Sequence, residues 1–343
     1  MNTEAITAHV TQARRSTRLK WLCISVLALV VTCLLSLSIG ARPIDWNTLV
    51  QTFQGHHLGL DSTILWQGRL PRTLNGLFVG MALGVCGALI QALTRNPLAD
   101  PGILGVNSGA SLAVAIAIVF LGATSMPQFF FYASLGAFCT SVLVFILGRS
   151  RAGRPDPLKL TLAGVAIGAV LSGISSGLTL FNPAAFDIIR FWVAGSLDIR
   201  NLDIPMFIAP LVLIGCAAAF ALTPSLNALN LGEALATSLG IRMLYAQLIG
   251  LAIITLLCGA ATAAAGPIGF VSLMMPHVAR WMVGPDQRWI VPFCCVLTPI
   301  LLLWADMIGR IILTSELRVS VVTAFIGAPI LIYLVRQKKA SSL

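Results

Sequence analysis

Long apolar stretches separated by short polar segments make up most of the chain. A helix needs about 20 predominantly apolar residues to cross the hydrocarbon core of a membrane. Ten stretches approach this length and predict transmembrane helices over residues 21–40, 73–93, 103–122, 128–148, 158–181, 204–223, 243–265, 267–283, 289–308 and 319–335. The pattern therefore predicts an all-α membrane protein, with a single polytopic domain over residues 1–343 and a ten-helix core over residues 21–337.

Composition and charge support this prediction and add an orientation. Of the 343 residues, 57% are hydrophobic and 10% are charged, whereas an ordinary soluble domain has roughly 25% charged residues. Of the 22 Lys and Arg residues, 15 fall in segments on the side of the two termini. Because cytoplasmic segments carry an excess of Lys and Arg, we expect residues 1–20 and 338–343 to lie in the cytoplasm. We expect the chain to cross its membrane several times.

The second apolar stretch begins with two arginines and contains three evenly spaced glycines. Gly76, Gly80 and Gly84 predict a helix face of small residues on which a neighbouring backbone packs closely. Arg69 and Arg72 lie three residues apart on one helix face, at the N-terminal end that the helix dipole makes unfavourable for cations. They also lie on the predicted outer side, against the charge bias. These two costs favour contact with an anion or an acidic partner.

Small polar residues interrupt the third and fifth predicted helices. Two interpretations stay open for them: hydrogen bonds between helices, or the polar wall of a transport pathway. The candidates for the pathway or its gate are Asn107, Ser108, Ser111, Ser172, Ser175 and Ser176. Because the fifth stretch is rich in glycine and serine, we expect it to face other helices or an aqueous path rather than lipid.

Residues 224–242 form a polar cytoplasmic loop that is too short to span the membrane. Asn230 followed by Glu233 is typical of a capping box, and Gly240 suits the position after a helix end. The loop therefore predicts a short capped helix. Both a connector at the membrane interface and a docking helix for a soluble partner fit this pattern.

Sequence motifs for catalysis, nucleotide binding and metal binding are missing from the chain. It contains no G-x-x-x-x-G-K-[ST], H-E-x-x-H or C-x-x-C sequence. The eight cysteines lie in apolar stretches without metal-ligand spacing, and the pair His56-His57 lacks further ligands. We therefore expect a transport protein rather than an enzyme, with no catalytic residue, no metal site, no bound cofactor and no nucleic acid partner.

Several motifs in order along the chain carry a resemblance to a known family. They are RLPRTLNGLFVGMALGVCGALIQALTRNPLADPGILGVNSGAS, LGEALATSLGIR, AAAGPIGFVSLMMPHVAR, ADMIGR and VVTAFIGAPILIYLVR. In these motifs the chain resembles the FecCD family, the permease subunits of binding-protein-dependent ABC importers for ferric siderophores, haem and vitamin B12. RFWVAGSLDIRNL and ELRVSVVTAFIGAP resemble the ferric enterobactin subtype, with Arg318 and Ser320 where the commoner family form has Pro and Gly.

The resemblance implies a location in the bacterial inner (cytoplasmic) membrane, a fold, a cargo and partners. The fold is the ten-helix permease fold of type II ABC importers, and the cargo is ferric enterobactin or another catecholate. The partners are a second permease subunit, related or identical, two cytoplasmic ABC ATPases that use ATP and Mg, and a periplasmic siderophore-binding protein. A citrate, hydroxamate, haem or vitamin B12 cargo stays open. Two other classes of function also stay open, an ion-coupled secondary carrier and a non-transporting membrane scaffold.

Three groups of residues receive hypotheses about their roles. The resemblance implies that Arg69, Arg72 and Arg310 contact acidic residues of the binding protein. It also implies that a coupling helix contacts the ATPase through Gly232, Glu233, Ala234, Ala236, Thr237, Leu239 and Gly240. The charge of a ferric catecholate suggests a cationic rim formed by Arg190, Arg200 and Arg318. The alternative for the rim is ordinary ion pairing with Asp187, Asp198 and Glu316.

Overall fold

The computed structural model describes residues 3–40, 42–55, 59–148, 156–238, 240–312 and 316–336. Within these ranges the regular secondary structure is helical throughout, which confirms the predicted all-α class. The helices are α1 (Thr3–Ser38), α2 (Trp46–Phe53), α3 (Leu60–Ile64), α4 (Leu70–Thr94), α5 (Val106–Leu121), α6 (Met126–Leu147), α7 (Pro157–Phe181), α8 (Pro183–Val193), α9 (Asp203–Asn230), α10 (Glu233–Ser238), α11 (Met243–Ala265), α12 (Val271–Val283), α13 (Gln287–Ile312) and α14 (Val319–Arg336). A π-helical turn (Leu65–Arg69) joins α3 to α4, and a 3-10 turn (Pro101–Leu104) precedes α5.

Seven helical segments in the described ranges are long and apolar enough to cross a membrane. They are Arg15–Ser38, Leu60–Thr94, Met126–Leu147, Leu158–Phe181, Asp203–Asn230, Met243–Ala265 and Gln287–Ile312. The remaining three predicted spans correspond to α12 and to two shorter apolar helices, Val106–Leu121 and Val319–Tyr333. The structure thus supports a multi-pass membrane protein, and the count of ten spans stays a prediction.

The shortening of the eighth predicted span has a local cause. Gly266 and Phe270 adopt positive φ values of 73° and 68°, so the chain leaves helical geometry and α12 begins only at Val271. Its 13 residues extend about 20 Å at 1.5 Å per residue, less than the roughly 30 Å of hydrocarbon in a bilayer. An apolar run in the sequence does not reveal such a break.

α4 and α9 run in the same direction and define two ends of the bundle. Near the start of α4, the Asn75 side chain donates a hydrogen bond to the carbonyl oxygen of Leu197, shortly before α9, at 3.4 Å. Arg72 contacts Asp306 at the C-terminal end of α13 in the same region. We call this the arginine end. At the opposite end, which we call the turn end, α4 leads into the turn at residues 96–102 and α9 leads into α10.

The glycine face of α4 packs against α13, as predicted. An ideal Cβ atom at Gly80 would lie 2.6 Å from the Cα atom of Pro299, and one at Gly84 would lie 2.6 Å from the carbonyl oxygen of Cys294. Only glycine permits this approach between the two backbones. α4 also contacts α9, α11 and α12, so it is the central helix of the bundle and fixes the position of both its ends.

Candidate functional site

A buried ionic cluster joins α4 and α13 at the arginine end. Asp306 accepts hydrogen bonds from Nε and Nη2 of Arg72 at 3.0 and 2.8 Å and from Nε of Arg310 at 2.9 Å. The side chain of Asp306 is 1% exposed. One carboxylate therefore lies between two guanidinium groups. Their mutual attraction is less screened than that of a surface ion pair, and removal of one partner would leave a buried charge uncompensated.

Two further carboxylates contact the open side of this cluster. Nη1 of Arg72 donates a hydrogen bond to Glu316 at 2.7 Å and lies 3.8 Å from an oxygen of Asp198. Both acidic side chains are about half exposed, at 46% and 55%. Arg72 thus connects the segment before α9 to the segment before α14.

The other two arginines connect the cluster to α1. Nη1 of Arg310 donates a hydrogen bond to the carbonyl oxygen of Ser36 at 3.0 Å. Arg69 donates hydrogen bonds to the carbonyl oxygens of Leu37, Ser38 and Arg42. Carbonyl oxygens at and just after the end of α1 therefore accept the hydrogen bonds of Arg69, whose positive charge lies next to those of Arg72 and Arg310.

The structure corrects one expectation about these arginines. The sequence predicted that Arg69, Arg72 and Arg310 are available at the outer surface, but all three are buried, at 7%, 7% and 4% exposure. Arg72 and Arg310 pair with Asp306 of the same chain, whereas the hydrogen bonds of Arg69 go to backbone carbonyl oxygens. The contact of these arginines with an acidic partner outside the chain stays a prediction. Asp306 was visible in the sequence as the i, i+4 neighbour of Arg310 in an apolar stretch, but its contact with Arg72 was missed.

The predicted cationic rim separates into two parts. Arg190 pairs with Asp187 at 3.2 Å, as the alternative interpretation expected. Asp198 and Glu316, in contrast, pair with Arg72. Among the residues that the structure describes, Arg200 and Arg318 have no carboxylate oxygen within 4.0 Å of their guanidinium nitrogens.

The six candidate pathway residues lie on α5 and α7. Ser172 of α7 donates a hydrogen bond to Ser108 of α5 at 3.2 Å, at an exposed position. Asn107 instead accepts a hydrogen bond from Thr262 of α11 at 3.0 Å. Ser175 is buried, Ser111 is half-buried and Ser176 is exposed. The structure therefore brings Ser108 and Ser172 together and gives Asn107 a hydrogen-bond partner on α11, and the pathway role of all six residues stays a prediction.

The predicted short helix at the turn end is α10, and its start differs from the prediction. Asn230 is the last residue of α9 rather than a cap of α10, and Glu233 is the first residue of α10. Gly232 between them has a φ of 106°, which separates the two helices and removes the capping box. Gly240 has a φ of 80° and follows the helix end, as predicted. Leu239 lies outside the described residues.

Within the described ranges, α10 packs mainly against two helices, α9 and α11. Its Ala236 is buried, and the backbone N–H of Ala236 donates to the carbonyl oxygen of Gly232 at 3.0 Å. Leu235 is 54% exposed, and Thr237 is exposed as well. The helix thus presents an apolar side chain on the surface of the turn end.

A second polar network at the turn end was missed in the sequence. Gln91 of α4 is fully buried and donates a hydrogen bond to the carbonyl oxygen of Leu273 at 3.0 Å, while Arg280 donates one to the amide oxygen of Gln91. Ser272 donates a hydrogen bond to Asp100 of the turn at 2.6 Å. A glutamine within an apolar stretch was the available signal for this contact between α4 and α12.

Comparisons with known proteins agree with this architecture. A family model described as the FecCD transport family matches residues 28–337. The chain belongs to the FecCD transport family. The predicted resemblance is therefore confirmed over nearly the whole length.

Curated relatives and a solved structure are similar to this FecCD chain over most of their length. The chain is 52% identical to the ferric enterobactin transport system permease protein FepD of Escherichia coli (strain K12) over 313 residues, which cover 91% of this chain and 94% of FepD. It is 35% identical to the Fe(3+) dicitrate transport system permease protein FecD of the same organism, with coverage of 90% and 95%. An inward-facing structure of a metal-chelate type ABC transporter superposes with a TM-score of 0.82 at 30% identity and covers 93% of this chain and 99% of that one.

Proposed function

We propose that this chain is the permease subunit of a binding-protein-dependent ABC importer that moves ferric enterobactin or another ferric catecholate into the cytoplasm. The observation that carries the proposal is the 52% identity to FepD over 91% of the chain. The absence of a phosphate-binding loop from the sequence supports a partner subunit as the ATPase. The permease itself then has no catalytic residue and no bound cofactor.

The turn end is the proposed ATPase side. α10 is short, surface-exposed and attached to α9 and α11, so a displacement of α10 moves the ends of two long helices. Leu235 offers an apolar contact to a partner. We propose that one of two cytoplasmic ABC ATPases binds this helix and that the arginine end faces the periplasm.

α7 is the proposed contact with the second permease subunit. Ser172 and Ser176 are exposed on this helix, next to Gly173. Exposed serines gain little from lipid, whereas small residues permit close approach of a second helix or of water. We propose that α7 pairs with the second permease and that Ser108, Ser172 and Ser176 border the pathway between the two.

The docking role of Arg69, Arg72 and Arg310 remains a proposal, and the geometry suggests how it operates. Asp306 is enclosed, whereas Glu316 contacts the same guanidinium of Arg72 from a half-exposed position. An acidic residue of the binding protein can therefore replace Glu316 without opening the cluster. Exposed charges of this kind mainly orient the encounter of two proteins.

Uptake of radiolabelled iron tests the proposed function. The chain is expressed together with its own partner subunits and binding protein in a bacterial strain that lacks ferric catecholate permeases. We expect uptake of ferric enterobactin that disappears when the phosphate-binding lysine of the partner ATPase is changed to alanine. Uptake of ferric citrate or a ferric hydroxamate without uptake of ferric enterobactin would reassign the cargo. Uptake that persists with the inactive ATPase would exclude the ABC mechanism.

A further inference from the structure

A cavity of about 540 Å³ opens at the arginine end. Its wall comes from the start of α6, from α8, from the segment between α8 and α9, from the end of α11 and from Arg318 before α14. The residues that matter for its chemistry are Phe191, Trp192, Asp198, Arg200 and Arg318. The volume falls within the roughly 300–1,000 Å³ of small-molecule sites in proteins.

The charges in this wall are unequally satisfied. Asp198 lies 3.8 Å from Nη1 of Arg72, and Glu316, outside the wall, lies 2.7 Å from the same atom. Arg200 and Arg318 each follow one of these acids by two residues. In the described part of the chain neither of them has a carboxylate oxygen within 4.0 Å. Both acids thus face Arg72 in the ionic cluster, where Arg69, Arg72 and Arg310 balance three carboxylates. Arg200 and Arg318 are left at the cavity.

Aromatic side chains lie beside these cations. The guanidinium carbon of Arg318 is 5.1 Å from the ring centroid of Phe191, a distance at which a cation interacts with a ring face. Arg190 lies 4.7 Å from the same centroid but is not part of the cavity wall. Trp192, the next residue of α8, is half-buried in the wall. The cavity therefore combines two aromatic side chains with two cations that have no ion pair among the described residues.

We propose that this cavity is an outer binding site for the ferric catecholate, in which Arg200 and Arg318 contact the phenolate oxygens of one or two catecholate arms and Phe191 and Trp192 contact their rings. The proposal rests on the proposed function and adds a site to it. Charge-assisted hydrogen bonds from the two arginines attract the anion. Phe191 and Trp192 add contacts with the catecholate rings, which ferric citrate cannot make because citrate has no aromatic ring. Arg72 acts as a positioning residue, because it fixes the two segments that carry the cations.

The decisive variant removes both cations from the cavity. The complete importer, with its ATPase and binding protein, is reconstituted in liposomes, and initial uptake of radiolabelled ferric enterobactin is measured at limiting concentration. For the Arg200→Gln, Arg318→Gln double variant we expect uptake about tenfold below wild type, since two charge-assisted contacts are lost. ATP hydrolysis without cargo should stay at the wild-type rate, because the cavity lies far from α10.

A matched control separates the cavity from surface charge in general. Arg190→Gln removes a neighbouring cation that contacts the same Phe191 ring outside the cavity wall, and we expect uptake within about twofold of wild type, as is usual for an exposed ion pair. The Arg200→Lys, Arg318→Lys double variant should retain more uptake than the glutamine variant. If the glutamine variant does not accumulate in the membrane, Trp192→Leu and Arg318→Gln are measured singly and are expected to lower uptake as well.

The outcomes distinguish the two proposals. Wild-type uptake by the glutamine variant, or an equal loss in Arg190→Gln, overturns the cavity site and leaves the proposed function intact. A wild-type importer that carries no ferric catecholate overturns both.

Discussion

Two glycine-rich helices of this chain differ in how much of their surface the other described residues cover. In α4, 83% of the most apolar segment is buried, whereas in α7 only 17% is buried. An added Cβ atom at Gly80 of α4 meets the backbone of Pro299, but one at Gly173 or Gly177 of α7 meets no described residue within 4 Å. Glycine spacing therefore predicts a helix face that accepts close approach, and it does not predict whether the approaching element belongs to the same chain.

The difference suggests that the two helices have different roles in the permease. α4 contributes both to the ionic cluster at the arginine end and to the Gln91 network at the turn end, so it connects the two ends rigidly. α7 carries exposed small polar residues on a face that the described part of the chain leaves open. We infer that α4 is the fixed part of the permease and that α7 completes its packing in the assembled importer.

The largest effect is expected when the α4 glycine face is filled. Gly80→Leu places a side chain where the Cα atom of Pro299 lies 2.6 Å from the added Cβ atom. Because a backbone cannot move aside as a flexible side chain does, the variant should not accumulate as a folded protein. Membrane abundance and detergent-extracted monomer measure this. The control is Gly173→Leu in α7, and equal abundance of the two variants contradicts the comparison.

The second effect concerns the ionic cluster that attaches α4 to α13. Asp306→Asn leaves Arg72 and Arg310 without their buried carboxylate, which costs about 3–5 kcal/mol when one partner of a buried ion pair is removed. We expect a large decrease of the unfolding temperature in detergent. Asp187→Asn serves as the control, because it breaks the exposed Asp187 to Arg190 pair and should change stability by at most about 1 kcal/mol. Similar unfolding temperatures for the two variants would show that the cluster is not buried as described.

Sequence reasoning succeeded where a single local pattern determines the structure. Apolar stretches located the long helices, Gly80 and Gly84 located the packed face of α4, and Gly240 located the end of α10. In each case the physical cause lies within a few residues of the pattern, as hydrophobic length, absence of a Cβ atom or a positive φ.

The sequence was insufficient where the cause lies on another helix. Arg72 and Asp306 are 234 residues apart, and their contact depends on how α4 packs against α13. Arg72 and Arg310 are buried through their contacts with Asp306, and Arg69 is buried through its contacts with carbonyl oxygens at the end of α1. No local pattern could predict contacts between such distant segments. The late start of α12 depends on the backbone angles at Gly266 and Phe270, and the end of α9 at Asn230 depends on the angle at Gly232. Helix periodicity does not reveal such angles.

A third prediction tests the open face of α7 directly. Gly177→Leu should leave the abundance and unfolding temperature of the isolated chain unchanged, since nothing in the described residues lies within 4 Å of the added Cβ atom. The same variant should reduce copurification of the second permease and lower iron uptake, because a bulky residue blocks close approach. The control is Val165→Leu, which changes an exposed position of α7. Gly122→Leu is unsuitable, because Gly122 has a φ of 64° and any side chain there strains the backbone. Normal pairing of Gly177→Leu would assign this face to lipid.

The smallest expected effect distinguishes two hydrogen bonds at the start of α5. Thr262→Val leaves the amide oxygen of Asn107 without its 3.0 Å partner in a partly buried position, which costs about 1–2 kcal/mol for an unsatisfied buried group. Ser172→Ala removes the 3.2 Å bond to Ser108 at an exposed position, where water replaces the lost partner, so stability should change by less than about 0.5 kcal/mol. Thermal unfolding in detergent measures both. If Ser172→Ala lowers uptake while its unfolding temperature stays at the wild-type value, Ser172 acts on the pathway rather than in packing. Equal destabilisation by both variants would instead assign α7 to the rigid core together with α4.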